Sequence, residues 1–180
     1  LVNEKVRPSE IEAVLIEIIK QTPSFYLATH VVIGCRRDSR GDLFNVSENT
    51  NIQKLYAVLS ERLTNYFIGE GKNIFEEEKD NYGSILYHWG ISGAGNRERV
   101  NEYVFSLVEK NPKYLGKMIS FFVFGVDSKI GPEIRYKNLL ELYDETRLYK
   151  KVKEYYENGY STQEEKVALD AFIQVHDQKK

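Results

Sequence analysis

The residues predict an all-α fold, an irregular bundle of about seven or eight helices, and three observations carry that reading. Helix-start signals recur from one end of the chain to the other. Between them, apolar residues fall at three- and four-residue spacing. Only Phe25–Cys35 reads otherwise: its run Thr29-His30-Val31-Val32-Ile33 is β-branched, but a lone strand would have no ladder partner. That stretch is read as a buried helix, with a short strand-like segment at 25–35 as the alternative.

The elements follow in order. Ser9-Glu10-Ile11-Glu12 has the form of a capping box, in which hydroxyl and carboxylate satisfy each other's free backbone amides. Ile11, Val14, Leu15, Ile18 and Ile19 then mark one apolar face. After a polar loop over 36–51, Thr50 with Gln53 repeats the capping logic. It precedes Ile52, Leu55, Tyr56, Leu59, Leu63, Tyr66 and Phe67, and Gly69 and Gly71 stop the run. The segment 74–89 reads as one helix weakened by Gly83, which costs up to about 1 kcal/mol relative to Ala. Asn96 opens a helix carrying Val100, Tyr103, Val104, Leu107 and Val108. Asn111, with Pro112 in the first turn, opens another carrying Tyr114, Leu115, Met118, Ile119 and Phe122. Pro132 begins a long segment through Leu139, Leu140, Tyr143, Leu148, Val152, Tyr155 and Tyr156 that ends at Asn158-Gly159. Ser161 with Glu164 then caps a last helix through Val167, Ala168, Ala171, Phe172 and Val175. The expected organisation is an N-terminal helical block, 1–125, and a C-terminal extension, 126–180, packed as one domain about a hinge at 125–131.

Composition narrows the function classes. Residues 1–70 carry 8 basic and 9 acidic groups and residues 71–180 carry 17 and 18, so each part is −1. Global attraction to phosphate backbones is thereby excluded, although a local patch is not. The single cysteine, Cys35, cannot form an internal disulfide and reads as a buried thiol, with a thiolate assisted by Arg36 and Arg37 as the alternative. Cysteine poverty and the absence of a signal peptide fit a cytoplasmic protein. No apolar run approaches the roughly 20 residues a membrane span needs. The single Met118 and the opening Leu1-Val2-Asn3 fit a domain excised from a longer protein. His30, His88 and His176 show no metal-ligand spacing, so neither metal nor cofactor is expected.

Two stretches are candidate binding surfaces. Trp89-Gly90-Ile91-Ser92-Gly93-Ala94-Gly95-Asn96-Arg97-Glu98-Arg99 feeds a glycine-rich turn into a helix start, whose free amides can hold a phosphate or carboxylate. Trp89, Gly93, Gly95, Arg97 and Arg99 are its candidate contacts, although neither G-x-G-x-x-G nor Gly-Lys-Ser/Thr occurs, and a plain inter-helix loop is the alternative. The second is the late helix with Arg147, Lys150, Lys151, Tyr155 and Tyr156. Its tyrosines, with Tyr149 and Tyr160, suit a partner face, and its charges otherwise form an ion-paired solvated surface through Lys150–Glu154 and Lys153–Glu157. A small cluster at Arg36, Arg37 and Arg40 is offset by Asp38 and Asp42.

Ile85-Leu86-Tyr87-His88-Trp89-Gly90, then 96–104, then Ser106-Leu107-Val108-Glu109-Lys110-Asn111-Pro112-Lys113-Tyr114-Leu115, resembles the helical region that follows the ATPase core in prokaryotic KAP-type P-loop NTPases. The tail 148–172, with Glu164-Glu165-Lys166-Val167-Ala168-Leu169, continues the resemblance, which covers roughly 100 residues of helical texture. The P-loop and the acidic magnesium-binding strand that define the family do not occur in this sequence, so no catalytic residue carries over. The resemblance implies a flanking helical domain that transmits nucleotide state or recognises a partner, in a host-defence setting. The expected function is a non-catalytic regulatory or protein-interaction domain of a larger intracellular NTPase-like protein, bound to a protein partner or to the rest of its own polypeptide, with no membrane contact. The alternative is a helical nucleic-acid-binding module using the local Arg/Lys clusters.

Overall fold

In the computed structural model the described residues are 8–37, 51–93, 95–124, 137, 139–159 and 162–178, and their regular structure is all helical. Packing divides the chain into two units, Leu1–Asn96 and Arg97–Lys180. That division falls beside the glycine-rich turn, and the expected hinge at 125–131 lies outside the described residues.

Unit 1 holds α1 (Pro8–Gln21), α2 (Phe25–Arg37), α3 (Ile52–Leu63), a π segment (Thr64–Gly69), α4 (Ile74–Glu77) and α5 (Tyr82–Gly90). The β-branched stretch is helix α2, as its lack of a partner strand implies. Ser24 Oγ accepts from the Leu27 amide to cap it, and buried Thr29 returns its hydroxyl to Phe25 O at 2.8 Å. Helix α3 packs against α1, α2 and α5. Ile19, Ala28, Val32, Leu55, Leu59, Leu63, Phe67, Ile85 and Trp89 are wholly buried, each large aliphatic contributing about 1.5–3 kcal/mol.

Several expected elements shift. Asn51 rather than Thr50 caps α3, accepting from the Lys54 amide. Helix α3 does not run on as α-helix to the glycines. It widens over Thr64–Gly69, where Glu70 N–H reaches Asn65 O, five residues back, and Gly71 at φ +67° ends the run. The single helix expected over 74–89 is two, because Asn73 caps α4 and the chain turns at 78–81 before α5. In α1 the apolar face is wider than the surface that covers it: Ile19 is buried, whereas Val14 and Ile18 are exposed.

The Glu12 carboxylate, expected in a capping box with Ser9, instead accepts from the Asn51 amide and the Lys54 ammonium at the start of α3. The Lys54 bond first, then the Asn51 amide, holds Glu12 below the usual carboxylate range. A lowered folded-state value gives stability that is present above the ordinary range and lost as pH falls through the lowered one. The Glu12→Gln variant is therefore expected to unfold with a flatter acid limb between pH 5 and pH 3 (about the carboxylate range). Parallel urea midpoints for the two proteins across that range would reject this tie.

Unit 2 carries α6 (Asn96–Lys110), whose first residue belongs to unit 1, α7 (Lys113–Phe124), a helical turn at 139–142, α8 (Glu145–Glu157) and α9 (Gln163–Asp177). Asn111 caps α7 as expected, Oδ1 accepting from the Lys113 amide. The long segment expected from Pro132 is broken at Tyr143, and Asp144 caps α8 afresh by accepting from the Arg147 amide. The final capping box is Thr162 with Glu165, one residue beyond the Ser161 and Glu164 pair. Helix α9 lies on α7 and α8 and buries Ala168, Leu169 and Phe172.

Candidate functional site

The glycine-rich turn is held by its own side chains. Trp89 is fully buried in unit 1, with its ring 6.2 Å from Phe67, so it is a core residue rather than a partner contact. Ser92 Oγ donates to Trp89 O at 2.6 Å, and Asn96 Nδ2 donates to Ser92 Oγ at 2.9 Å. The polar side chains nearest the helix start thus bond inward. Gly95 supplies the turn at φ +80°, and a Cβ on Gly93 would stand 3.4 Å from Asn96 Nδ2. The loop reading accounts for both glycines.

The arginines of that stretch belong to unit 2. Arg97 donates to Leu140 O at 2.7 Å, which ties the start of α6 to the turn before α8, while Arg99 is exposed. Beside Arg97, buried Asn101 donates to Arg97 O and Leu142 O and accepts from the Asp144 amide at 2.9 Å. Arg147 reaches across from α8 to Glu102 at 2.5 Å and Glu109 at 3.7 Å, with its guanidinium 4.3 Å above the Phe105 ring. A groove of about 420 Å³ runs between these residues, lined by Arg97, Glu98, Asn101, Glu102, Asp144 and Arg147. Three carboxylates against two guanidiniums make a poor phosphate cradle. The arrangement fastens α6 to α8.

The remaining face of α8 is also spent internally. Lys150 and Lys151 pair with Glu154 at 3.9 and 3.4 Å, the first as the four-residue spacing implies. Lys153, expected to meet Glu157, lies 5.0 Å over the Tyr149 ring instead. Tyr155 is buried, so it cannot serve a partner face; its hydroxyl donates to Glu165, and burial, then the Glu165 charge, push it up to about 12. Tyr156 donates to Asp170 at 2.8 Å and Tyr149 to Asp177 at 3.0 Å. Tyr160 and Arg40, with the Arg36 and Arg37 side chains, lie outside the described residues.

What the spacing rules did not find lies in unit 1. Arg62, on the polar side of α3, donates to Ile19 O and Thr22 O, both at 2.5 Å, and stacks 4.5 Å over Phe25. It closes the carbonyl end of α1, where unpaired acceptors need donors. Next to it a cleft of about 530 Å³ is lined by Lys20, Phe25, Glu61, Asn65, Tyr66 and Glu70, among others. Burial, then Glu77, Glu70 and Glu78, raise the Tyr66 hydroxyl. On α1 itself a shallow depression of about 470 Å³ is lined by Val14, Glu17, Ile18, Gln21 and Thr22.

Among the described residues no three His, Cys, Asp or Glu side chains converge as metal ligands would. Cys35 is buried, as its apolar neighbours imply. No described helix is long and apolar enough to cross a membrane. The chain matches no protein-family model, no curated protein and no solved structure.

Proposed function

We propose that this chain is a helical protein-interaction domain without catalytic activity of its own. The observation that carries the reading is where its chemistry is spent. Arg62, Arg97, Asn101, Arg147 and Tyr155 all bond to neighbouring segments of their own unit, whereas exposed aliphatic side chains stand on the surface of α1. Polar groups locked into caps and latches hold helices in place; exposed aliphatic area is what a partner covers. A setting inside a larger intracellular NTPase-like protein is the accompanying proposal. It is supported by the resemblance of 85–90, 96–104, 106–115 and 148–172 to the helical region that follows the ATPase core in KAP-type NTPases.

The purified chain is expected to hydrolyse neither ATP nor p-nitrophenyl acetate above the buffer rate, with and without magnesium. Turnover that scales with protein concentration would end the reading. Salt-dependent retention of the chain by DNA or RNA would replace it with the nucleic-acid alternative, since counterion release makes such binding fall steeply with salt.

A further inference from the structure

We infer that the outward face of α1 docks a basic amphipathic helix of a partner protein. The inference rests on the interaction reading above and names its surface and partner class. Among the described residues five large hydrophobic side chains are exposed: Val14, Ile18, Leu27, Ile68 and Val167. Val14 and Ile18 stand one helical turn apart and line the same depression, at 59% and 42% exposure. Scattered single exposures are ordinary, whereas a pair one turn apart on one helix makes a continuous apolar strip that a partner can cover.

The spacing of the lining identifies the occupant's shape. Val14, Glu17, Ile18, Gln21 and Thr22 sit at i, i+3, i+4, i+7 and i+8, the groove between helical ridges into which another helix's ridge packs. The charge identifies its sign. Glu17 is the one ionisable group among the lining residues; Gln21 Nε2 already donates to it, and a carboxylate has further acceptor positions. A partner Lys or Arg beside the aliphatic contact fills them. A second copy fits less well, because it brings a second Glu17 and no cation to the depression. An anionic lipid surface is disfavoured by the same charge.

The test uses a model peptide of leucine and lysine at helical spacing, with a leucine–glutamate counterpart as control. Binding is followed by fluorescence anisotropy, and circular dichroism confirms that each variant is folded. The leucine–lysine peptide is expected to bind the wild-type chain and to slow amide exchange over 13–22. The double variant Val14→Gln, Ile18→Gln keeps helix-forming residues at exposed positions and is expected to weaken binding by about tenfold or more. Glu17→Lys is expected to weaken it by about fivefold and to favour the leucine–glutamate peptide. Peptide affinity unchanged in the double variant, equal affinity for both peptides, protection mapping elsewhere, or a wild-type dimer dissolved by the double variant would each overturn the inference. Any of these leaves the interaction reading in place, because that reading falls on substrate turnover, which these variants do not affect.

Discussion

Asn101→Leu is expected to destabilise the protein by about 3 kcal/mol, although the two side chains are nearly the same size. Asn101 is 7% exposed and joins two pieces of backbone that no helical ladder connects. Its amide nitrogen donates to Arg97 O and Leu142 O, and its oxygen accepts from the Asp144 amide. Leucine removes all three bonds, stranding the buried Leu142 carbonyl at a cost of about 1–3 kcal/mol and the part-buried Asp144 amide at a smaller one, while the gain in apolar burial offsets only part. Asp is expected to be worse than Leu, since it keeps the bond from Asp144 but turns a second acceptor toward two carbonyls. Urea denaturation followed by far-UV circular dichroism gives the loss. Faster hydrogen exchange at the Asp144 amide, the start of α8, gives its location. A loss below about 1 kcal/mol, the worth of a single net hydrogen bond, would show that the latch is not what holds the turn at 139–144.

Asn101 also marks where sequence reading stops. Periodicity and capping chemistry place the helices, because both act within one turn: the Asn111 cap, the apolar face of α3 and the helical state of α2 are legible on those grounds. A polar residue within α6 reads as solvent-facing until Leu142 and Asp144 are brought beside it, about 40 residues on. Arg62 is the same case, an apparent surface cation that closes the end of α1. Aromatic residues fail in the other direction. Trp89 and Tyr155 have the chemistry of an interface residue, and only packing distinguishes that from the core they occupy. Val14 and Ile18 invert this, since helical spacing assigns them to the core face whereas α2 and α3 cover only part of α1. The surface is therefore written in the sequence as part of an apolar face, and periodicity alone does not separate its covered side from its open one.

Replacing Gly116 with Ala is expected to destabilise the protein by about 2 kcal/mol, the reverse of what helix propensity gives. Gly116 lies within α7, where Ala would ordinarily be worth about 1 kcal/mol. A Cβ there, however, would stand 2.6 Å from Glu165 Cγ and 2.7 Å from Cδ on the facing helix α9. A free glutamate would swing aside at little cost, but this one is tied twice. Its carboxylate accepts from the Thr162 amide to complete the capping box and from the Tyr155 hydroxyl. Moving it gives up the box, about 1 kcal/mol, and the bond from the buried Tyr155 hydroxyl, about 1–2 kcal/mol. The same contacts hold the cap at its observed register: Glu165 lies under the Tyr155 hydroxyl and over Gly116, where no side chain intrudes. Two further variants separate the clash from the helix effect. Glu165→Ala removes the obstacle, so Gly116→Ala in that background is expected to become stabilising, and the tyrosine hydroxyl held near 12 is expected to titrate at lower pH. A Gly116→Ala variant that is more stable with Glu165 intact would show that α7 and α9 have room to separate and that Glu165 does not fix their approach.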